Sequence, residues 1–174
     1  MIQSSWGGLL CRFMYGFFTT FWALLVLVAT SLGADLEVVP PNTVITLQRG
    51  ACEKRCAVYK IVVFADGTLI YDGQYYVHRI GLVLDKVDVA AIRRLIEDFQ
   101  AINYFNLEDE YGYRSEEGCS SILSDAPVAI TSIVTGGKSK SIIHHHRCVG
   151  PIPGQLTHLE DKIDTLANTV RWIK

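Results

Sequence analysis

The chain has no surplus of positive charge. Its 16 Lys and Arg stand against 18 Asp and Glu, a formal net charge of −2. Only Arg12 among the charged residues falls in the first 34, so the stretch from Asp35 onward carries −3. A nucleic-acid partner requires a basic face, and this balance leaves no electrostatic footprint for one. The familiar catalytic fingerprints are missing too. There is no Gly-x-Ser-x-Gly, no His-Glu-x-x-His, no P-loop and no dinucleotide-binding glycine pattern. No motif assigns a reaction, and no cofactor is expected. Internal repeats and low-complexity segments are absent as well.

What is present describes a globular chain. Of its 174 residues, 49% are apolar and 20% charged, which separates it from disordered sequences and favours one domain once a targeting segment is set aside. Residues 13–29 form an uncharged apolar run behind Arg12, and small residues follow at Thr30, Ser31, Gly33 and Ala34. A short basic region, an apolar core and a small-residue exit describe a signal peptide over 1–34, cleaved after Ser31, Gly33 or Ala34. The alternative is an uncleaved membrane anchor, the only contact with a membrane that the sequence offers. Cys11 precedes the apolar run and follows Leu10, which speaks against a lipid anchor. The expected location is therefore exported, periplasmic or secreted. Residues 35–42, with Pro40-Pro41, read as a linker, and 43–174 as a single domain.

Alternation over residues 43–48 predicts a first strand. A hairpin follows, with Asp66-Gly67 between apolar, β-branched runs, the dipeptide that favours a primed two-residue turn. With that turn, Val63 pairs with Ile70 and Phe64 with Leu69. Tyr59, Ile61, Val63 and Ile70 then face the core, and Val62, Phe64, Leu69 and Tyr71 share the opposite face, rimmed by Lys60 and Asp72. Such an apolar outer face is a candidate partner-binding surface, with Phe64 and Tyr71 as anchors. A further strand is expected over residues 74–81. From Asp85, a candidate N-cap, the period changes to 3.6. A helix over 86–101 aligns Val89, Ile92, Leu95, Ile96 and Phe99 on one face and sets Arg93/Glu97 and Arg94/Asp98 four apart on the other.

Residues 104–124 read as irregular. A second hairpin follows, turning at Gly136-Gly137, and Pro151 and Pro153 introduce a second amphipathic helix bearing Leu156, Leu159, Ile163, Leu166 and Val170, with Asn168 at its end. Two hairpins with flanking strands and two amphipathic helices make an α+β fold: a small antiparallel sheet with helices packed on it.

Without Cys11, four cysteines remain: Cys52, Cys56, Cys119 and Cys148. An even number in an exported chain reads as disulfides, with three connectivities open. In one, Cys52 and Cys56 close a small ring at the mouth of the first hairpin, and Cys119 and Cys148 tie the irregular segment to the exit of the second. Redox catalysis ordinarily uses a Cys-x-x-Cys at a helix start, and here the spacing is longer and a strand follows.

His144, His145 and His146 end a strand. His144 and His146 share one face, a spacing that can chelate a metal, with His78 and His158 the only other histidines. The plain reading is a polar strand end. Glu108, Asp109, Glu110, Glu116 and Glu117 supply paired carboxylates, in a hydrophilic loop where solvated acids are the ordinary outcome.

The order of short motifs resembles a bacterial family of exported domains of unknown function, number 6438. The resemblance rests on the cysteine pair Cys52 and Cys56, Val58-Tyr59-x-Ile61, Asp66-Gly67-Thr68, Tyr71-x-Gly73, the helix ending in Phe99, Asp125-x-Pro127, Cys148-x-Gly150-Pro151, and a closing helix with Arg171-Trp172-Ile173. It covers about residues 43–173. Family members often carry Pro after the second cysteine, where Ala57 stands here. The resemblance implies export and a small α+β domain, and no activity. Members carrying only the first cysteine pair would support Cys52–Cys56 as a bridge. The function expected is a non-enzymatic module that binds an envelope protein or ligand. The alternative is a metal-dependent enzyme or hydrolase built on the strand with His144 and His146 and the acidic loop 108–117.

Overall fold

A computed structural model describes residues 38–112 and 118–174. The segment 1–34 assigned to export, Cys11, the linker residues 35–37, and Glu116 and Glu117 lie outside those residues. In chain order the elements are β1 (Val44–Arg49), β2 (Val58–Phe64), β3 (Thr68–Tyr75), β4 (Gly81–Lys86), α1 (Val89–Ala101), a 3-10 turn (Tyr104–Asn106), β5 (Glu110–Tyr111), β6 (Ser121–Ile122), β7 (Val128–Thr135), β8 (Lys138–His145), β9 (Cys148–Val149), α2 (Pro151–Ala167) and α3 (Val170–Ile173). The fold is α+β, with a larger sheet than two hairpins supply. Seven strands lie in the order β4-β3-β2-β1-β7-β8-β5, and β6 pairs with β9 apart from them. Neighbours in the large sheet are antiparallel except β5, which runs parallel to β8.

Period-two alternation sets the inner face. Ile45 and Leu47 of β1, Tyr59, Ile61 and Val63 of β2, Leu69 and Tyr71 of β3, Ala129 and Ile133 of β7, and Ile142 of β8 are all buried. Ile92, Leu95, Ile96 and Phe99 of α1 and Leu156, Leu159, Ile163 and Ala167 of α2 pack onto them in one core. Both helices thus cover the same side of the sheet.

The first hairpin departs from the expected register. Gly67 N–H donates to Phe64 O at 3.0 Å, and of Asp66 and Gly67 only Gly67 has a left-handed φ, at 81°. The connection is therefore the three residues Ala65-Asp66-Gly67, a turn closed by a left-handed glycine, instead of a primed two-residue turn. Asp66 caps it from within, its carboxylate accepting from the Thr68 N–H at 2.9 Å and the Thr68 hydroxyl at 2.8 Å. Val63 now pairs with Leu69, Val62 with Ile70 and Ile61 with Tyr71. A one-residue shift exchanges the faces of the returning strand. Leu69 and Tyr71 are fully buried, and Ile70 turns outward beside Val62 and Phe64. The primed turn lies in the second hairpin, where Thr135 pairs with Lys138 and Gly136 and Gly137 have φ 54° and 80°.

Two further boundaries moved. β3 stops at Tyr75, Tyr76 adopts a left-handed φ of 53°, and Gly81 begins β4, a strand in place of the one expected over 74–81. Asp85 lies inside β4, facing Arg171 of α3, and the N-cap is Asp88, whose side chain accepts from the Ala90 N–H. α1 consequently starts at Val89, which is exposed. Asp98 reaches Lys162 of α2 instead of pairing within its own helix. Asn168 ends α2 in a left-handed conformation, as the sequence suggested, but Val170 is exposed and the buried residue of α3 is Trp172. Trp172 packs tilted against Tyr71, with ring centres 4.5 Å apart.

Candidate functional site

The sheet's registers bring one row of inner-face residues together. Tyr59 of β2 lies opposite Arg49 of β1, Arg49 opposite Ala129 of β7, and Ala129 opposite His144 of β8. Arg49 is in phase with Ile45 and Leu47, so its side chain enters the layer between sheet and helices. The methyl of Ala129 leaves room between Arg49 and His144. α2 lies over this row and presents Glu160 and Asp164, four residues apart and so on one helical face.

Eight side chains close into a network. Glu160 is fully buried, within the same stripe as Leu156, Leu159 and Ile163. Its Oε1 lies 2.9 Å from His144 Nδ1, and its Oε2 lies 2.7 Å from both His146 Nε2 and Arg49 Nη1. Arg49 continues to Asp164, whose Oδ2 accepts from Nε at 3.1 Å and from Nη2 at 2.8 Å, and Nη2 also meets exposed Asp161 at 3.1 Å. Asp164 Oδ1 accepts from the Tyr59 hydroxyl at 2.7 Å and from the Thr169 hydroxyl at 3.1 Å. The two imidazoles stack with ring centres 4.4 Å apart.

Burial by itself would raise the Glu160 carboxyl. Hydrogen bonds from His144 and His146, then the charges of His144 and Arg49, outweigh it and hold the group at about 2. Burial would lower the Arg49 guanidinium, yet Asp164 and Glu160 raise it above its ordinary value. The Tyr59 hydroxyl is raised by burial and then by the Asp164 charge. These contacts lock helix to sheet.

The sequence singled out His144 and His146, and the structure brings them together. It missed Arg49, Tyr59, Glu160 and Asp164. Glu160 had a signal: an acid inside an apolar helical stripe is a buried charge that needs partners. His78 and His158 are exposed and elsewhere. The donor atoms of His144, His146 and Glu160 lie within 4.8 Å of one another, whereas Glu108, Asp109 and Glu110 are not part of that group. Asp109 engages Lys140, and Glu108 N–H donates to the Tyr111 hydroxyl.

The four cysteines form two bridges, Cys52–Cys56 and Cys119–Cys148, with Cα separations of 5.7 and 5.1 Å. Of the surface set, Val62 and Phe64 are half-buried on the outer face, and Leu69 and Tyr71 belong to the core. Leu82 and Leu84 of β4, which the sequence reading left out, are 69% and 75% exposed. Leu84 pairs with Ile70 and Leu82 with Asp72, on the face of Val62. Among the described residues no strand pairs with the far edge of β4, and no helix is long and apolar enough to cross a membrane.

Fold and site together define a small disulfide-bonded α+β domain with a buried histidine–carboxylate–arginine network beneath its sheet. The chain belongs to the family described as domain of unknown function DUF6438, whose model matches residues 43–167. No curated protein matches the chain.

Proposed function

We propose that this is an exported, non-enzymatic module that binds another envelope protein through the outer face of its sheet at β4. The observation that carries the reading is the exposure of Leu82 and Leu84, 69% and 75%, beside Ile70 and Val62 on an edge strand. An edge strand presents unpaired backbone N–H and C=O groups, and most proteins blunt it with proline, a bulge or inward charges. β4 has no proline and no bulge; Leu82 and Leu84 face outward ahead of Lys86, and the one inward charge, Asp85, is taken up by Arg171. The partner that fits is an extended segment with alternating apolar side chains. It would add antiparallel to β4 and lay those side chains over Leu82, Leu84 and Ile70. Two disulfides in a chain with an apolar leader support export.

The test places a photo-crosslinking residue at position 82 in cells, with position 158, on the helical side, as control. The expected product joins position 82 to one segment of another exported protein and disappears with Leu84→Asp. Equal labelling from position 158, or crosslinking only to a second copy of this chain, overturns the reading. Export is tested by sequencing the N-terminus of the protein recovered outside the cytoplasm, with a start after Ser31, Gly33 or Ala34 expected.

A further inference from the structure

We propose that His144, His146 and Glu160 form a binding site for a divalent transition-metal ion, with Zn2+ the best match to their donors. Two imidazole nitrogens and one carboxylate are a frequent protein contribution to zinc, with the fourth position left to another ligand. The scaffold is suited to it. His144 near the end of β8 and His146 just past it lie on one side, and Glu160 descends from α2 with one carboxylate oxygen at a nitrogen of each ring. The nitrogen–oxygen separations of 2.9 and 2.7 Å and the 4.8 Å span of the cluster place the three donors around one point, and turning the rings out of their 4.4 Å stack brings them onto one ion at about 2.0–2.2 Å.

Without an ion, one oxygen of Glu160 serves both His146 and Arg49. His146 Nε2 lies 2.7 Å from Glu160 Oε2 and 3.3 Å from Arg49 Nη1. If Nε2 carries a proton, it and Arg49 Nη1 both donate to Oε2. If it is bare it accepts from Arg49 but turns its lone pair on the carboxylate oxygen. A metal ion suits the bare form, because Nε2 and the carboxylate then share one Lewis acid. Arg49 keeps its place, since Nε and Nη2 are fixed on Asp164 and only Nη1 touches Glu160. The charges agree as well: Glu160, Asp161 and Asp164 meet the single cation of Arg49, so with neutral imidazoles the cluster is negative and a divalent ion offsets it.

A second observation concerns the far side of His144. Its Nε2 and the Thr131 Oγ1 are both buried without a hydrogen-bond partner. Thr131 pairs with Ile142 and is thus the diagonal inner-face neighbour of His144 across β7 and β8. Coordination through Nδ1 puts the ring proton on Nε2, the outer donor of a metal-bound histidine, and a turn of the ring toward Thr131 would give that donor an acceptor.

The experiment uses the full exported protein, purified without a tag, stripped with chelator and titrated with Co2+ and then Zn2+. Saturation at one equivalent is expected, with a visible Co2+ band that Zn2+ abolishes. In the 15N-labelled protein, Zn2+ is expected to shift the ring nitrogens of His144 and His146 and leave those of His78 and His158 in place. His146→Gln, at a half-buried position, is expected to weaken Zn2+ binding at least about tenfold. Should that variant fail to fold, the nitrogen shifts of the unsubstituted protein decide. Absence of a saturable one-equivalent site, or shifts confined to His78 or His158, overturns the proposal, as does undiminished binding by folded His146→Gln.

Discussion

Glu160 Oε1 lies 2.9 Å from His144 Nδ1, although the two residues sit on opposite layers and both are buried. That contact joins the middle of α2 to the end of β8, and Arg49 extends it across β7 to β1. Taking such charges out of water is costly, and the cost is met only while every partner is present.

Arg49→Met is therefore expected to destabilise the domain by about 3–5 kcal/mol, because Glu160 and Asp164 keep their charges and lose their cation. Glu160→Gln is expected to be costly for the converse reason. The two residues touch, so their effects do not add. Denaturant unfolding of the single and double variants should give a coupling of about 1 kcal/mol or more. Strict additivity would show that the 2.7 Å contact contributes nothing.

This network also marks where the sequence stopped being readable. The second hairpin, the apolar face of α1 and the proline-led start of α2 follow from local rules of turn chemistry and periodicity, and all three appear in the structure. The site depends instead on which strands become neighbours. Arg49, Tyr59 and His144 are far apart in sequence and share one row only because β1 lies between β2 and β7. Aspartates mislead at two turns. Asp66 looks like half of a primed turn but caps a longer one, and Asp85 looks like an N-cap but lies within β4, with Asp88 doing the capping three residues on. No local feature separates the two candidates. The choice falls to β4, whose pairing with β3 holds residues 81–86 extended.

The register of the first hairpin is tested by a pair of adjacent substitutions. Leu69 is fully buried, so Leu69→Ala should cost about 2–5 kcal/mol. Ile70 faces outward, and Ile70→Ser should cost about 1 kcal/mol or less. The opposite ranking of the two denaturant midpoints would restore the pairing of Val63 with Ile70.

Gly67→Val is expected to destabilise by at least about 1 kcal/mol. The residue has φ 81°, and a Cβ there would stand 2.5 Å from the Val87 carbonyl oxygen. That carbonyl belongs to the backbone leading into α1, so relief requires moving the helix start. An unchanged midpoint would reject the left-handed glycine that closes this turn.

The two disulfides should differ in what they contribute. Cys52–Cys56 joins residues only 4 apart, whereas Cys119–Cys148 spans 29. Loop-closure entropy then gives about 2 kcal/mol for the first and about 4 kcal/mol for the second. Burial sharpens the contrast. Cys148 lies in the core at the end of the β6–β9 pair, while Cys52 and Cys56 bracket an exposed loop. Paired Ser substitutions at 52 and 56 should lower the denaturant midpoint modestly, and those at 119 and 148 severely. Non-reducing peptide mapping of the unsubstituted protein should recover only Cys52–Cys56 and Cys119–Cys148 peptides. A Cys56–Cys148 peptide would contradict the pairing. Equal losses from the two double variants would show that chain entropy does not govern the difference, leaving local packing around Cys52 to account for it.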